Sequence, residues 1–176
     1  MEYDYEQIKK KLSSVDIHLK NRIQHGHGIR ILNQDLWETI ISFIISANNN
    51  IPRIKGIIER ISKEYGKEIV WNERKYYTFP TPGELGQASV RDLRKLGLGF
   101  RDSRVYETTK ILQGNVGVAD PCYSATELGA KGLASLQYET DINKIKHILL
   151  SLPGVGPKVA DCIMLFRTWQ KRGVPY

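Results

Sequence analysis

Cysteine is scarce: two residues in 176, Cys122 and Cys162, cannot build a disulfide framework or a four-cysteine metal site. A reducing, intracellular compartment is the expectation. No apolar run approaches the roughly 18 residues that a membrane span needs. The opening stretch MEYDYEQIKK has no apolar core of the kind a secretory signal carries. No segment repeats at a fixed period, and there is no low-complexity tail. Acidic residues are the minority, 19 Asp and Glu against 26 Lys and Arg, for a net charge of +7. That excess suits a polyanion such as DNA, RNA or an anionic membrane, although a merely basic soluble protein has the same composition. Hydrophobic (41%) and charged (26%) contents are those of an ordinary globular protein, and the length suffices for one good-sized domain or two small ones.

The hydrophobic pattern is helical almost throughout. Ile8, Leu12, Val15, Leu19 and Ile23 recur at helical spacing, with a break near Ser13 and Ser14. HGHG at 25–28 reads as a turn, and Asn33 or Asp35 as the cap of the next helix. That helix, LWETIISFIISA, is nearly all apolar yet only about a dozen residues long, which predicts a buried central helix. The asparagines at 48–50 end it. Residues 51–66 predict a helix with Pro52 in its first turn and Gly66 at its end. Residues 67–83 predict a small hairpin or loop. Two short helices then lead to Gly97 and Gly99, a further helix covers RDSRVYETTKILQG, and residues 114–131 read as loop with helical pieces. Ile142, Ile145, Ile148 and Leu149 mark a helix stopped by Pro153, and VADCIMLFRTWQ is the last. The expectation is an all-α chain of about eight helices.

Between the last two helices stands SLPGVGPKVADC, with Lys158 one residue after a Gly-rich turn. Glycines permit positive φ and close approach by another molecule. The amides of Gly154, Val155 and Gly156, if they point outward at a helix N-terminus, make an anion site. The absence of the Walker lysine spacing and of a preceding strand argues against a nucleotide P-loop. By itself the turn reads first as a tight interhelical connection, and only second as an anion site.

Three motifs in order carry a resemblance: QDLWETIISFIISANNNIPRIKGIIERIS, LRKLGLGFRDSRV and LPGVGPKVADC. Together they resemble the HhH-GPD DNA glycosylases, and within them the 8-oxoguanine DNA glycosylase family, over roughly residues 30–176. The resemblance implies the family's helical fold across 1–176, with the helix-hairpin-helix at about 141–170. It implies base-excision repair of oxidised guanine in double-stranded DNA by a bifunctional glycosylase/AP lyase. Lys158 would be the catalytic nucleophile, and Cys162, four residues on and on the same helix face, would touch the extruded base. A buried core thiol is the other reading of Cys162. Asn48 would fill the vacated space, Arg53 would read the orphaned cytosine with help from Arg101, and Phe100 would act as the wedge, where the family usually has tyrosine. Arg60, Arg94 and Arg104 read as solvated helix charges, and Asp161 as a partner for a neighbouring base or cap.

No metal or cofactor is implied. The expected protein works as a monomer on DNA, in the nucleoid region of a prokaryotic cytoplasm or in a nucleus. The family's N-terminal β domain is missing here, and its catalytic Asp, in a Val-Pro-x-Asp context, aligns just past Tyr176. The chain therefore reads as a partial domain. A non-catalytic DNA-binding hairpin fragment and an HhH-GPD enzyme of different base specificity are the alternatives.

Overall fold

A computed structural model of the chain describes residues 5–29, 34–113 and 132–167. The described elements are α1 (Tyr5–Ser13), α2 (Ile17–His25), α3 (Leu36–Ser46), α4 (Ile51–Tyr65), β1 (Glu68–Trp71), β2 (Arg74–Tyr77), α5 (Pro82–Leu85), α6 (Val90–Lys95), a 3-10 turn (Gly99–Arg101), α7 (Asp102–Leu112), α8 (Gly132–Tyr138), α9 (Ile142–Ser151) and α10 (Pro157–Arg167). The class is all-α; a single two-stranded ribbon is the only sheet among the described residues. Two compact units hold these elements, one with α1 and α2, the other with α3 to α10.

The break foreseen near Ser13 divides the first amphipathic pattern into two helices. Asp16 starts the second, its carboxylate accepting from the Leu19 amide at 2.9 Å. The pair is thin: α2 buries none of its own residues. The cap of α3 is Asp35, whose side chain accepts from the Glu38 amide at 2.9 Å; Asn33, the other candidate, lies outside the described residues, as do residues 114–131 with Cys122 and the end of the last predicted helix.

The second unit is built around α3. Leu36, Trp37, Ile40, Ile41, Ile44 and Ile45 are all buried, so the helix has apolar contacts on nearly every side. Helices α4, α7 and α10 pack against it, and the core they share extends to Ile57, Ile61, Leu93, Leu98, Val105, Leu149, Val155, Ala160 and Ile163. The indole N–H of Trp37 donates to the Pro80 carbonyl at 2.8 Å, tying the start of α3 to the chain 43 residues on. The predicted hairpin at 67–83 is the antiparallel β1–β2 ribbon, with Trp71 opposite Arg74. Asn72 and Glu73 both take positive φ, as a two-residue hairpin turn requires.

Two capping boxes start α5 and α6, the short helices that lead into the Gly97–Gly99 segment. Hydrogen bonds from the Thr81 amide and then its hydroxyl hold the Glu84 carboxyl below its ordinary 4.5. The Ser89 hydroxyl and amide, with Lys95, hold Asp92 below 3.8. A depressed folded-state pKa contributes stability that is complete above the unfolded value and is lost as pH falls through the folded one. The double variant Glu84→Gln, Asp92→Asn should therefore lose less stability than the unaltered chain when denaturant titrations are repeated from neutral pH down to about pH 3. Parallel acid limbs for the two proteins would show that these boxes do not contribute to acid sensitivity.

Candidate functional site

Helix α3 ends at an open carbonyl end. Its last turn is followed by Ala47 and by Asn48, which takes φ 50°, a left-handed conformation that asparagine tolerates better than most residues. Asn49 then folds back, its side-chain amide donating to the Ile45 carbonyl at 3.1 Å. Asn50 caps α4 by accepting from the Arg53 amide at 3.0 Å. The three asparagines thus do different jobs: Asn49 folds back and Asn50 caps α4, while Asn48 is exposed in the left-handed conformation.

Arg101 reaches this turn from the other loop. Its residue is 2% exposed, and its Nε donates to the Ala47 carbonyl at 2.7 Å and one terminal nitrogen to the Asn48 carbonyl at 2.6 Å. The other terminal nitrogen reaches the Leu98 carbonyl at 3.3 Å. Burial above all, then the charges of Arg53 and Arg104, hold its pKa below the usual arginine value. Arg53 returns the connection, donating to the Gly97 carbonyl at 3.2 Å, and Arg60 donates to the Leu96 carbonyl at 2.8 Å. Phe100 stands 54% exposed between them. The Arg101 guanidinium lies 4.2 Å from its ring centroid and that of Arg104 5.5 Å.

The hairpin joins this cluster through Gly154, at φ 85°. A Cβ there would meet Arg104 Cδ at 3.0 Å and Ile44 Cγ2 at 3.4 Å, so the turn rests on α7 and α3. The Thr108 hydroxyl adds a bond to the Pro153 carbonyl at 3.2 Å. Gly156 differs: its φ is not positive, and a Cβ on it would meet nothing within 4 Å. Of the three amides expected to point outward, that of Val155 is in use, closing the turn on the Leu152 carbonyl at 3.1 Å, and the Val155 side chain is buried. Its place among the anion-binding donors is therefore corrected: a tight turn needs that N–H for itself.

Pro157 opens α10, and Lys158 is its second residue, exposed beside the unpaired first-turn amides. Lys158 is therefore solvent-facing in the DNA-free chain, at the start of a helix. Cys162 is half-buried one turn on and is a free thiol. Asp161 pairs with Lys146 of α9 at 2.7 Å, across the two hairpin helices. Arg94, taken from the sequence as a solvated charge, binds the buried Asp102 carboxylate at 2.6 Å. Arg60, Arg104 and Thr108 were likewise not visible as site residues. Only Arg104 had a signal, its spacing of four from Phe100 on a helical segment.

A separate cleft of about 300 Å³ is lined by Asp35, Trp37, Glu38, Phe79, Pro80, Thr81, Pro82 and Leu133, none of them a site residue expected from the sequence. Burial, then Asp35, raises the Glu38 pKa above 4.5. Among the described residues no group of three or more metal-ligating side chains is gathered, and no helix is long and apolar enough to cross a membrane.

Two discontinuous loops laced onto a helix-hairpin-helix define the fold of the HhH-GPD DNA glycosylases, and the comparisons agree. A family model described as the N-terminal domain of 8-oxoguanine DNA glycosylase matches residues 1–40. An N-glycosylase/DNA lyase from Saccharomyces cerevisiae is 39% identical over 140 residues, which cover 78% of this chain and 36% of that protein. The apo crystal structure of an 8-oxoguanine glycosylase/lyase from Clostridium acetobutylicum superposes with a TM-score of 0.78 at 38% identity, over 98% of this chain and 55% of that one. The same enzyme bound to double-stranded DNA with cytosine opposite 8-oxoguanine gives a TM-score of 0.76 at 37% identity, over 98% of this chain and 54% of that one. The chain belongs to the 8-oxoguanine DNA glycosylase family of that superfamily. It spans about a third to about half the length of these relatives.

The two hairpin glycines make opposite demands. Gly154→Ala should cost about 1–3 kcal/mol, the scale of a non-glycine residue held at positive φ, whereas Gly156→Ala should be close to neutral. Chemical denaturation of both variants checks this; equal losses would mean that the turn does not depend on the left-handed conformation at Gly154.

Proposed function

We propose that this chain carries the catalytic helical part of a base-excision repair enzyme, a bifunctional glycosylase/AP lyase that removes 8-oxoguanine from double-stranded DNA. The observation that carries the reading is the continuous line of contacts from Asn48 through Arg101, Phe100 and Arg104 to the hairpin turn that bears Lys158. A base inside a duplex is out of reach, so an enzyme acting on it must extrude it and fill the gap. An exposed Asn48 on a braced turn suits the gap, and Phe100 offers an apolar wedge to the base step. Arg53, exposed at the start of α4 with donors facing the same loop, suits the acceptors of an orphaned cytosine. The amides of the half-buried Gly154 and the exposed Gly156, with the start of α10, suit a phosphate. Such a substrate puts the protein's work with the genome, in a nucleoid or a nucleus, with the protein acting as a monomer.

The Lys158 amine attacks C1′ of the damaged nucleotide, and the glycosidic bond breaks with its electron pair leaving on the base, which takes up a proton. The sugar ring then opens, leaving an imine between Nζ and C1′. Loss of a C2′ proton expels the 3′ phosphate by β-elimination and nicks the strand. Only the neutral amine is a nucleophile.

Incubated with an 8-oxoguanine·cytosine duplex and borohydride, the protein should become covalently linked to DNA. Lys158→Gln should abolish the link while duplex affinity stays within a few-fold. A variant that still cross-links removes Lys158 from the role. Separately, Arg53→Ala should reduce the preference for cytosine over adenine opposite the lesion by about 1–3 kcal/mol, the value of one good base contact. Single-turnover excision on the two duplexes measures it, and an unchanged ratio would make Arg53 a brace for the Gly97 carbonyl and nothing more.

A further inference from the structure

Helix α6 stops on a left-handed glycine, Gly97, at φ 90°. The Gly97 amide donates to the Arg94 carbonyl at 3.0 Å and the Leu98 amide to the Leu93 carbonyl at 3.5 Å, the crossed pair of bonds that closes a helix at a glycine. That closure leaves the carbonyls of Leu96 and Gly97 beyond the helix, to be met from elsewhere. Both are met by α4. Arg60 donates from Nε to the Leu96 carbonyl at 2.8 Å, and Arg53 donates from a terminal nitrogen to the Gly97 carbonyl at 3.2 Å. The two arginines lie two turns apart on one face of α4, with the buried Ile57 between them. Gly97 rests on this stripe: a Cβ there would meet a terminal nitrogen of Arg60 at 2.9 Å and Ile57 Cγ1 at 4.0 Å. The loop that leads to Phe100 is therefore docked on α4 at two points.

The two bonds differ in what bound DNA asks of them. Arg53, exposed at the start of α4, is read above as the partner of the orphaned cytosine, and turning its donors to a base releases the Gly97 carbonyl. Arg60 stands about 10 Å farther along the helix axis, and its bond to Leu96 does not compete with that task. We propose that Arg60 is a positioning residue: it keeps the Phe100 loop docked on α4 while Arg53 turns to the DNA. This rests on the readings of Phe100 as the wedge and Arg53 as the cytosine reader, and adds a residue that touches neither the base nor the wedge ring. Arg60 acts through the backbone at Leu96, four residues ahead of Phe100.

The test compares Arg60→Met, which keeps an apolar stem and removes the donors, with Arg60→Lys, which keeps the charge and can still reach a single carbonyl. Amide hydrogen exchange over residues 96–100 of the free chain should speed up in Arg60→Met. Exchange in α3 and the midpoint of chemical denaturation should not change, because Arg60 is an exposed residue. Unchanged exchange at 96–100, or faster exchange throughout the chain, overturns the proposal. Affinity is then measured for a duplex with a tetrahydrofuran abasic analogue opposite cytosine and for an intact duplex. Arg60→Met should lose about tenfold of the preference for the abasic duplex, and Arg60→Lys should recover most of it. A methionine variant weakened equally on both duplexes has lost only a charge, and the proposal fails. In a Phe100→Ala background, Arg60→Met should cause no further loss of preference, as expected for residues acting as one unit; effects that multiply overturn the proposal. Should the unaltered chain show no preference for the abasic duplex, the wedge reading of Phe100 falls, and the exchange measurement alone still decides whether Arg60 holds the loop.

Discussion

A helix buried on nearly every side can satisfy its own middle but not its ends, and α3 sets this constraint for the whole second unit. Leu36, Ile40, Ile41, Ile44 and Ile45 are buried, and only the face of Glu38, Ser42 and Ser46 reaches toward solvent. Its termini must therefore find partners in the protein or reach the surface. At the start, the Asp35 carboxylate caps the first turn and the Trp37 indole is anchored on Pro80. At the end, the bare carbonyls of Ala47 and Asn48 are met by Arg101. Packing explains the apolar choices along α3; hydrogen bonding explains why a charged residue 53 residues beyond Asn48 is part of the same core.

Helix α7 is the second organiser. The segment just before it carries Phe100 and Arg101. Its first turn then sets Arg104 between the Phe100 ring and Gly154, and its middle sends the Thr108 hydroxyl to the Pro153 carbonyl. One rigid helix thus spaces the wedge loop from the hairpin. A site with its parts on two loops and a hairpin keeps its geometry only if something stiff connects them. Here that stiffness comes from α3 and α7 together, while Lys158 itself stays on the exposed end of α10.

The positive charge is distributed with the same economy. Arg53, Arg60 and Arg101 each give at least one donor to a loop carbonyl, and Arg94 is paired with Asp102. A net charge of +7 read as a DNA-attracting surface is therefore partly structural. The arginines nearest the two loops hold backbone first, and what they offer a polyanion is the charge and the donors left over.

Local features were legible in the sequence because they depend on neighbours a few residues apart. The 3–4 residue periodicity, the cap at Asp35, the ribbon at 68–77, the left-handed Gly154 and the lysine at a helix start all belong to this class. The two-glycine turn was readable as a type but not in its bonding, so the Val155 amide, expected to point outward, proved to close the turn. The break in the first amphipathic pattern was readable too, and Asp16 starts the second helix by accepting from the amide of Leu19. What only the tertiary structure decided is which far carbonyl each long side chain satisfies. Arg101 and Arg104 look alike in sequence, three residues apart, and both lie by the Phe100 ring, but one donates to carbonyls at the end of α3 and the other packs on Gly154. The reason is that an arginine's donors reach farther than any local pattern records, and the carbonyls they find are left open by a helix that ends more than fifty residues away.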